Sequence, residues 1–364
     1  MNRLHQLSRL GQSVWIDFLS RDLLESGALA RAVDEDAVVG VTSNPTIFAK
    51  ALARSDSYDA QLTSLGDGDS KRLFLALAMR DVSTACDLLR PVWEQTNGHD
   101  GYVSIEVDPN FADDTEATVE EATLFHEAIA KRNLLVKIPA TDAGVPAIEQ
   151  LTADGRSINV TLIFSLTRHR QVVEAYLRGL ERLIASGGNP NSVHSVASFF
   201  VSRVDTETDR RLDLLGRQDL KARLGIANAR LAYQQYKELF RGERWDNLAA
   251  SGATKQRCLW ASTSAKDPSL RDTLYVEELI GPETVSTMPE ETIRAFQDHG
   301  RVELTLESGR DDSQHLFNQL YTAGVDYDDV VATLEREGIE KFMTSFNQLL
   351  KRIEDRRHQL AIAA

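Results

Sequence analysis

The chain has 364 residues, of which 26% are charged and 42% hydrophobic, a composition typical of globular proteins. Its formal net charge of −14 argues against broad binding to nucleic acids or anionic membranes, although it leaves room for a local basic pocket that holds a phosphate. No apolar run is long enough to cross a bilayer, and the N-terminus lacks the apolar core of a secretory signal, so we expect a cytoplasmic protein.

Cysteine and histidine spacing gives little support for a metal site. Cys86 falls in a helical pattern and Cys258 in an apolar strand, without the spacing of a redox or zinc motif, and both are expected to be reduced core residues. The eight histidines are scattered along the chain without ligand-like spacing. We therefore expect no bound metal.

Short apolar, β-branched runs alternate with helical patterns along the chain. The predicted strands are 13–17, 38–42, 102–107, 134–138, 158–164, 194–200, 258–263 and 283–288. This α/β alternation predicts a (β/α)8 TIM barrel that occupies residues 1–364 as a single domain. An open doubly wound sheet is less favoured, because the first strand ends in Asp17-Phe18-Leu19-Ser20 rather than in a glycine-rich phosphate-binding turn.

The helical patterns predict more helices than a minimal barrel needs. They cover 21–33, a two-helix insertion over 58–96 broken at 66–69, 114–132, 141–154, 165–185, an Arg- and Asp-rich stretch after strand six, 225–240 and 290–298. A polar strip at 307–312 precedes a long closing helix. In that helix six apolar residues recur at helical spacing and predict one packed face: Val330, Leu334, Phe342, Phe346, Leu349 and Ile353.

Lys137 is the one charged residue in the apolar strand 134–138. Strands of a parallel sheet are covered on both faces, so Lys137 is expected to be buried. Burying an unpaired ammonium costs on the order of several kcal/mol, and a lysine can avoid this cost by losing its proton. A neutral amine attacks carbonyl carbons, which is the requirement for Schiff-base catalysis. The alternative is that Lys137 reaches water from the strand end, and this stretch alone does not decide between the two.

Other polar residues stand at or near the C-terminal ends of predicted strands, where barrel enzymes carry their active sites. They are Asp17, Glu106, Asn159, Thr161, Ser198 and Ser262. Charged residues from three strands would then converge, and carboxylates beside a lysine can move the protons that imine formation requires. Either carboxylate alone has an alternative reading as a strand-end residue that faces water or caps a helix. The apolar strand favours a neutral amine at Lys137 and the carboxylates favour a charged one, so its free state stays open.

Four further residues are candidates for substrate binding. Asn44 precedes Pro45 and reads as a helix N-cap that can also face a pocket. Arg203, beyond strand six, suits an anion, or it pairs at the surface with nearby carboxylates. Lys266 is a second candidate for a phosphate cation. Phe200 is, on general grounds, more often a core residue than one that faces a ligand.

The motifs together resemble the transaldolase family. They are Trp15-Ile16-Asp17, Val41-Thr42-Ser43-Asn44-Pro45-Thr46-Ile47-Phe48, Val103-Ser104-Ile105-Glu106-Val107, Val136-Lys137-Ile138-Pro139-Ala140-Thr141, Ile158-Asn159-Val160-Thr161-Leu162-Ile163-Phe164-Ser165, Ala197-Ser198-Phe199-Phe200-Val201-Ser202-Arg203-Val204-Asp205 and Trp260-Ala261-Ser262-Thr263. The resemblance runs from about Gly11 to the C-terminus in family order, and the combination of motifs is specific.

The resemblance implies a cofactor-free enzyme of the pentose phosphate pathway that moves a dihydroxyacetone unit between sugar phosphates. The donor would be fructose 6-phosphate or sedoheptulose 7-phosphate, and the acceptor erythrose 4-phosphate or glyceraldehyde 3-phosphate. It also implies that the C-terminal helix closes over the pocket. No fused phosphoglucose isomerase domain is expected within these 364 residues, and a monomer and a homodimer both stay open.

The resemblance also implies roles for individual residues. Lys137 matches the Schiff-base lysine, Asp17 the acid–base carboxylate, and Glu106 the carboxylate that works through a water with Thr161. Asn44 and Asn159 match groups that bind the dihydroxyacetone hydroxyls, while Ser198 and Arg203 match the phosphate site. Relatives carry a second arginine two residues after the serine that corresponds to Ser262. Here that position is Ser264, so Lys266 is the substitute that we predict.

Two other functions remain as alternatives. The first is an aldolase that releases free dihydroxyacetone, although the relatives of that kind tend to carry tyrosine where this chain has Phe200. The second is a non-catalytic protein that binds sugar phosphates.

Overall fold

A computed structural model describes residues 2–363 and shows a closed barrel of eight parallel strands in chain order. The strands are β1 (Gln12–Ile16), β2 (Val38–Val41), β3 (Tyr102–Glu106), β4 (Leu134–Pro139), β5 (Ile158–Ile163), β6 (Ser195–Phe200), β7 (Arg257–Ala261) and β8 (Thr284–Met288). Each strand pairs with the next, and β8 pairs with β1 to close the ring. The predicted (β/α)8 barrel is confirmed, while the assignment of residues 1–364 to one domain stays a prediction.

The helices surround this barrel. They are α1 (Arg3–Arg9), α2 (Arg21–Glu25), α3 (Ala28–Asp36), α4 (Pro45–Arg54), α5 (Asp59–Leu65), α6 (Ser70–Gln95), α7 (Thr115–Ile129), α8 (Gly144–Ala153), α9 (Leu166–Ala185), α10 (Ser202–Leu214), α11 (Leu224–Leu239), α12 (Glu243–Ala250), α13 (Leu274–Glu277), α14 (Glu290–His299), α15 (Arg310–Thr322) and α16 (Tyr327–Ala363).

The structure differs from the predicted helices in a few places. The single helix expected over 21–33 is two helices, because Gly27 adopts a left-handed conformation (φ 71°) that ends one and begins the other. Short helices α1, α12 and α13 have too few apolar positions to stand out in the sequence. Helix α15 begins inside the stretch 307–312, which was predicted to be a polar strip. Its start was missed in the sequence because the first turn of the helix is charged.

Two non-glycine residues with positive φ mark the C-terminal ends of β5 and β7. Leu162 has φ 59°, within the register shift between Val160 and Ile163, and Ser262 has φ 56° just after β7. Such conformations cost about 1–3 kcal/mol and persist only where the surrounding structure holds them. Here Leu162 interrupts the regular strand pairing beside Thr161, and Ser262 turns the chain at the mouth of the barrel.

Helix α16 lies across the C-terminal end of the barrel. All six apolar residues that the sequence placed on one face of it are buried, which confirms that face. Gly338 brings its backbone close to the barrel, since a Cβ there would lie 3.2 Å from the Leu162 side chain. Polar ties run along the helix, including Thr46 Oγ1 donating to Ser345 Oγ at 2.9 Å.

Other expectations from the sequence are also settled within the described residues. Cys86 and Cys258 are free and buried, as predicted, and burial raises the pKa of both thiols far above the ordinary value. None of the helices in residues 2–363 is long and apolar enough to cross a membrane.

Gly144 offers a test of how tightly β4 is held. A Cβ on this residue would lie 1.9 Å from the carbonyl oxygen of Pro139, the last residue of the strand that carries Lys137. We expect Gly144→Ala to lower the free energy of unfolding by about 1–3 kcal/mol, the usual cost of overpacking. Urea denaturation measures it, with Gly68→Ala as the control, since a Cβ there meets nothing closer than 3.7 Å. Equal stabilities of the two variants would contradict this account of the contact.

Candidate active site

Lys137 lies in a row of polar residues that three adjacent strands place at one level of the barrel. In the strand register Glu106 pairs with Lys137, and Lys137 pairs with Asn159. Lys137 Nζ is 3.2 Å from Glu106 Oε2 and donates a hydrogen bond to the Ser43 carbonyl oxygen at 3.1 Å. Lys137 is 5% exposed, so the alternative in which it reaches bulk water from the strand end is wrong.

Glu106 is buried beside this amine. Its Oε2 has no partner with hydrogen-bond geometry among the described residues, although it lies 3.2 Å from Nζ, so the pair is held by charge rather than by an aligned bond. Burial raises the pKa of Glu106, and the nearby positive charge of Lys137 opposes that rise.

Asn159 and Ser198 form a hydrogen-bonded chain with Ser104. Ser198 Oγ donates to Asn159 Oδ1 at 2.7 Å, and Asn159 Nδ2 donates to Ser104 Oγ at 3.0 Å. Asn159 is fully buried and lies outside the cleft lining, whereas Ser198 lines the cleft. Asn159 in this structure orients Ser198 instead of facing the open space.

Thr161 lies one step further toward the mouth on the same face of β5, where its register partner is Pro139. Its Oγ1 is buried without a hydrogen-bond partner among the described residues. Thr161 and Glu106 thus each present an unsatisfied buried oxygen near the lysine. Such groups normally have a water or ligand partner.

Asp17 follows β1 on the opposite side of the cleft. Thr42 Oγ1 donates to Asp17 Oδ1 at 2.7 Å and lies 2.8 Å from Thr287 Oγ1. Ser20, and not Asp17, caps helix α2. Asn44 does cap α4, accepting from the Ile47 amide at 3.0 Å, and it also lines the cleft. Asn44 is therefore both the cap of α4 and a residue that faces the cleft.

These residues surround a cleft of about 260 Å³ at the C-terminal end of the barrel. Of the predicted site residues, it is lined by Asp17, Asn44, Lys137, Thr161, Ser198, Phe200, Arg203, Ser262 and Lys266, while Glu106 and Asn159 are buried outside the lining. A larger cavity of about 400 Å³ lies at the other end, around the first residues of β3, β4, β6 and β7. Active sites of such barrels lie at the C-terminal end, so the smaller cleft is the candidate.

Arg203 projects into the cleft between two aromatic rings. Its guanidinium carbon lies 5.1 Å from the ring centre of Phe200 and 5.9 Å from that of Phe342 on α16. Phe200 is 6% exposed, lines the cleft and packs tilted on Phe164, so it serves both core and cleft. The two rings flank a guanidinium group, the side chain best suited to bidentate binding of an anion.

The alternative that Arg203 pairs with surface carboxylates is wrong. Asp205 accepts from the Gly225 amide and the Tyr275 hydroxyl, while Glu207 is paired with Arg210 and Arg211. Arg203 forms no ion pair within residues 2–363. Burial lowers the pKa of Arg203, and Asp17 and Glu106 oppose this. An arginine remains charged even so.

The side chain of Lys266 extends toward Ser264, the position at which the family resemblance leads one to expect an arginine. Its Nζ donates to Ser264 Oγ at 2.6 Å, and both residues line the cleft. Ser262 Oγ lies 2.9 Å from Ser202 Oγ at the start of α10. Lys266 therefore brings a positive charge next to Ser264 in the cleft, and its role as the substitute cation stays a prediction.

Two cleft-lining cations were missed in the sequence. Lys50 on α4 and Lys341 on α16 line the same cleft as Arg203 and Lys266. Both lie within helices, where a lysine reads as a solvated surface residue. Lys341 had one signal that could have found it, because it adjoins Phe342, which the apolar pattern placed on the packed face.

A barrel with a buried lysine beside a carboxylate at its C-terminal end defines a class of protein equipped for Schiff-base chemistry on carbonyl substrates. The family model described as Transaldolase/Fructose-6-phosphate aldolase matches residues 14–353. The chain belongs to this family.

Several relatives named Transaldolase are similar over nearly the whole chain. That of Acidothermus cellulolyticus is 52% identical over 351 residues, which is 95% of this chain and 94% of the relative. That of Mycobacterium tuberculosis is 49% identical over 362 residues, covering 98% and 96%, and that of Frankia alni is 51% identical over 355 residues, covering 96% of each. These matches support a transferase with transaldolase activity, and nothing in them favours a mere binding protein.

Proposed function

We propose that this protein transfers a dihydroxyacetone unit from fructose 6-phosphate or sedoheptulose 7-phosphate to erythrose 4-phosphate or glyceraldehyde 3-phosphate. The observation that carries the proposal is the buried pair of Lys137 and Glu106, 3.2 Å apart, at the C-terminal end of the barrel. The family membership supports sugar phosphates as the substrate class. No cofactor is needed for this chemistry.

Lys137 is proposed as the nucleophile. Its amine attacks the ketone carbon of the donor to form a carbinolamine, which loses water to give the imine. The attacking amine must be neutral, and Glu106 at 3.2 Å can hold the proton that the amine loses. The Ser43 carbonyl orients the amine before the substrate arrives.

Glu106 and Thr161 are proposed to hold the water that relays protons to and from the carbinolamine. Their unpartnered oxygens support this, since a water between them would satisfy both. Asp17 is proposed to accept the proton of the substrate hydroxyl beside the carbon–carbon bond that breaks. Its bond from Thr42 leaves one carboxylate oxygen for that proton.

The remaining predicted residues are proposed to bind substrate. Asn44 offers its amide nitrogen to the hydroxyls of the dihydroxyacetone unit, because its oxygen is engaged as the cap of α4. Asn159 is proposed to serve the same hydroxyls, and it also holds the Ser198 hydroxyl in place. The residues proposed to bind the phosphate all line the cleft, and they are Ser198, Arg203, Ser262 and Lys266. A single domain, cytoplasmic location and a monomeric or homodimeric state are further expectations.

The two activities of the family differ in what happens after the first product leaves. Phe200 offers no hydroxyl to protonate the bound intermediate, so the intermediate should wait for an acceptor aldehyde. We expect fructose 6-phosphate to turn over with erythrose 4-phosphate and to release little free dihydroxyacetone without it. Enzyme-coupled assays of both reactions measure this. Equal rates with and without acceptor would identify an aldolase instead.

Glu106→Gln separates chemistry from folding. The substitution keeps the shape but removes the titrating carboxylate, so kcat should fall by about a hundredfold or more, the usual contribution of general acid–base catalysis. Circular dichroism and the urea midpoint should show a folded protein, with Glu116→Gln on the surface of α7 as the control. Activity within a few-fold of the unaltered protein would show that Glu106 serves only the structure.

A further inference from the structure

Four cations from four parts of the fold gather at the cleft mouth. Lys50 on α4, Arg203 on α10, Lys266 after β7 and Lys341 on α16 all line it. None of the four forms an ion pair within residues 2–363, although acidic residues outnumber basic ones by 55 to 41 in the chain. The carboxylates that line the same cleft are Asp17 and Glu291, so positive charge is in excess there.

The position of Lys341 is fixed by contacts on either side of it. Its neighbour Phe342 is 4% exposed and lies against the Arg203 guanidinium. One helical turn further, Ser345 accepts from Thr46 on α4 at 2.9 Å, and Lys50 follows Thr46 by one turn on that helix. Residues four apart lie on the same face of a helix, so these contacts direct both lysines to one space.

The positive charges that line this cleft act on one another. The pKa of Lys341 is lowered mainly by the positive charge of Arg203, and further by burial and by Lys266 and Lys50. Burial lowers the pKa of Lys266, and Arg203 and Lys50 lower it further, while Glu291 and Asp17 oppose them. Like charges so placed repel one another, and a dianion between them would remove that repulsion.

We infer that Lys341 is a phosphate-binding residue that determines specificity for phosphorylated substrates, and that the bound phosphate links helix α16 to the barrel. This inference rests on the proposed function. Arg203 and Lys266 would hold the phosphate from the barrel side, and Lys341 from the helix side. The contribution of α16 compensates for the position of Ser264, where the family resemblance leads one to expect an arginine.

The arrangement makes the docking of α16 and the binding of phosphate mutually dependent. A ligand that contacts a segment only in its docked state stabilises that state, by thermodynamic linkage. Helix α16 already supplies Phe342 to the cleft, so phosphate binding should hold the aromatic wall of the Arg203 site in place. Substrates without a phosphate should lack this effect.

The kinetic test is Lys341→Gln, with Lys341→Arg as the conservative variant. Lys351→Gln, which removes an exposed lysine from the same helix, is the control. With fructose 6-phosphate we expect the KM of Lys341→Gln to rise about tenfold or more, the effect of losing one charge-assisted contact, while kcat changes little. Lys341→Arg should recover most of the affinity, and kcat/KM for unphosphorylated fructose should not change. An unchanged KM, or an equal loss with fructose, would overturn the inference.

A second measurement does not depend on turnover. Inorganic phosphate should slow amide hydrogen exchange over residues 334–349 in the unaltered protein and in Lys351→Gln, and should do so much less in Lys341→Gln. Equal slowing in all three proteins would overturn the inference. If the proposed function were wrong, the unaltered protein itself would lack acceptor-dependent turnover, whereas a failure of this inference alone would leave that turnover intact.

Discussion

The contact between Lys137 and Glu106 is the interaction on which the account of this protein depends. Two ionisable groups, 5% and 8% exposed, face each other across neighbouring strands inside the barrel. Such a pair seldom repays the cost of removing both charges from water, and apolar residues would often stabilise a fold equally well. Its position at the C-terminal end of the barrel, beside an open cleft, is the position that a pair of catalytic residues would need.

The surroundings of the pair divide into parts with distinct physical tasks. The chain of Ser198, Asn159 and Ser104 satisfies buried polar atoms and fixes one wall. The hydroxyls of Thr42 and Thr287 fix Asp17 on the other. Between them, Thr161 and Glu106 each leave a buried oxygen without a hydrogen-bond partner among the described residues, as the proposed water relay requires. Strained residues at the ends of β5 and β7 indicate that the surrounding structure, and not local preference, sets this geometry.

Much of this fold could be predicted, because β-branched runs and helical spacing are local signals. The packed face of α16, the cap at Asn44 and all eight strands follow from residues near one another in the chain. The candidate catalytic residues could be predicted for a related reason. The C-terminal ends of the strands converge in a barrel whatever the conformation of its loops. Short helices such as α1 and α12 carry too few apolar positions to be recognised alone.

The cluster of four cations at the cleft could not be predicted from the sequence. Lys50 and Lys341 are separated by most of the chain, and each lies in a helix as an ordinary polar residue. Only the packing of α4 on α16, through Thr46 and Ser345, brings them to one cleft. The burial of Asn159 behind Ser198 was equally hidden, because strand alternation gives the face of a residue but not its depth.

The proposed function requires that Lys137 form a covalent imine with the donor sugar. The direct test is to incubate the protein with fructose 6-phosphate, reduce with borohydride, and measure intact mass and then peptide masses. We expect one reduced three-carbon unit per chain, located on Lys137, and no added mass in Lys137→Met. Absence of any covalent mass in the unaltered protein, or a modification on a different lysine, would contradict it.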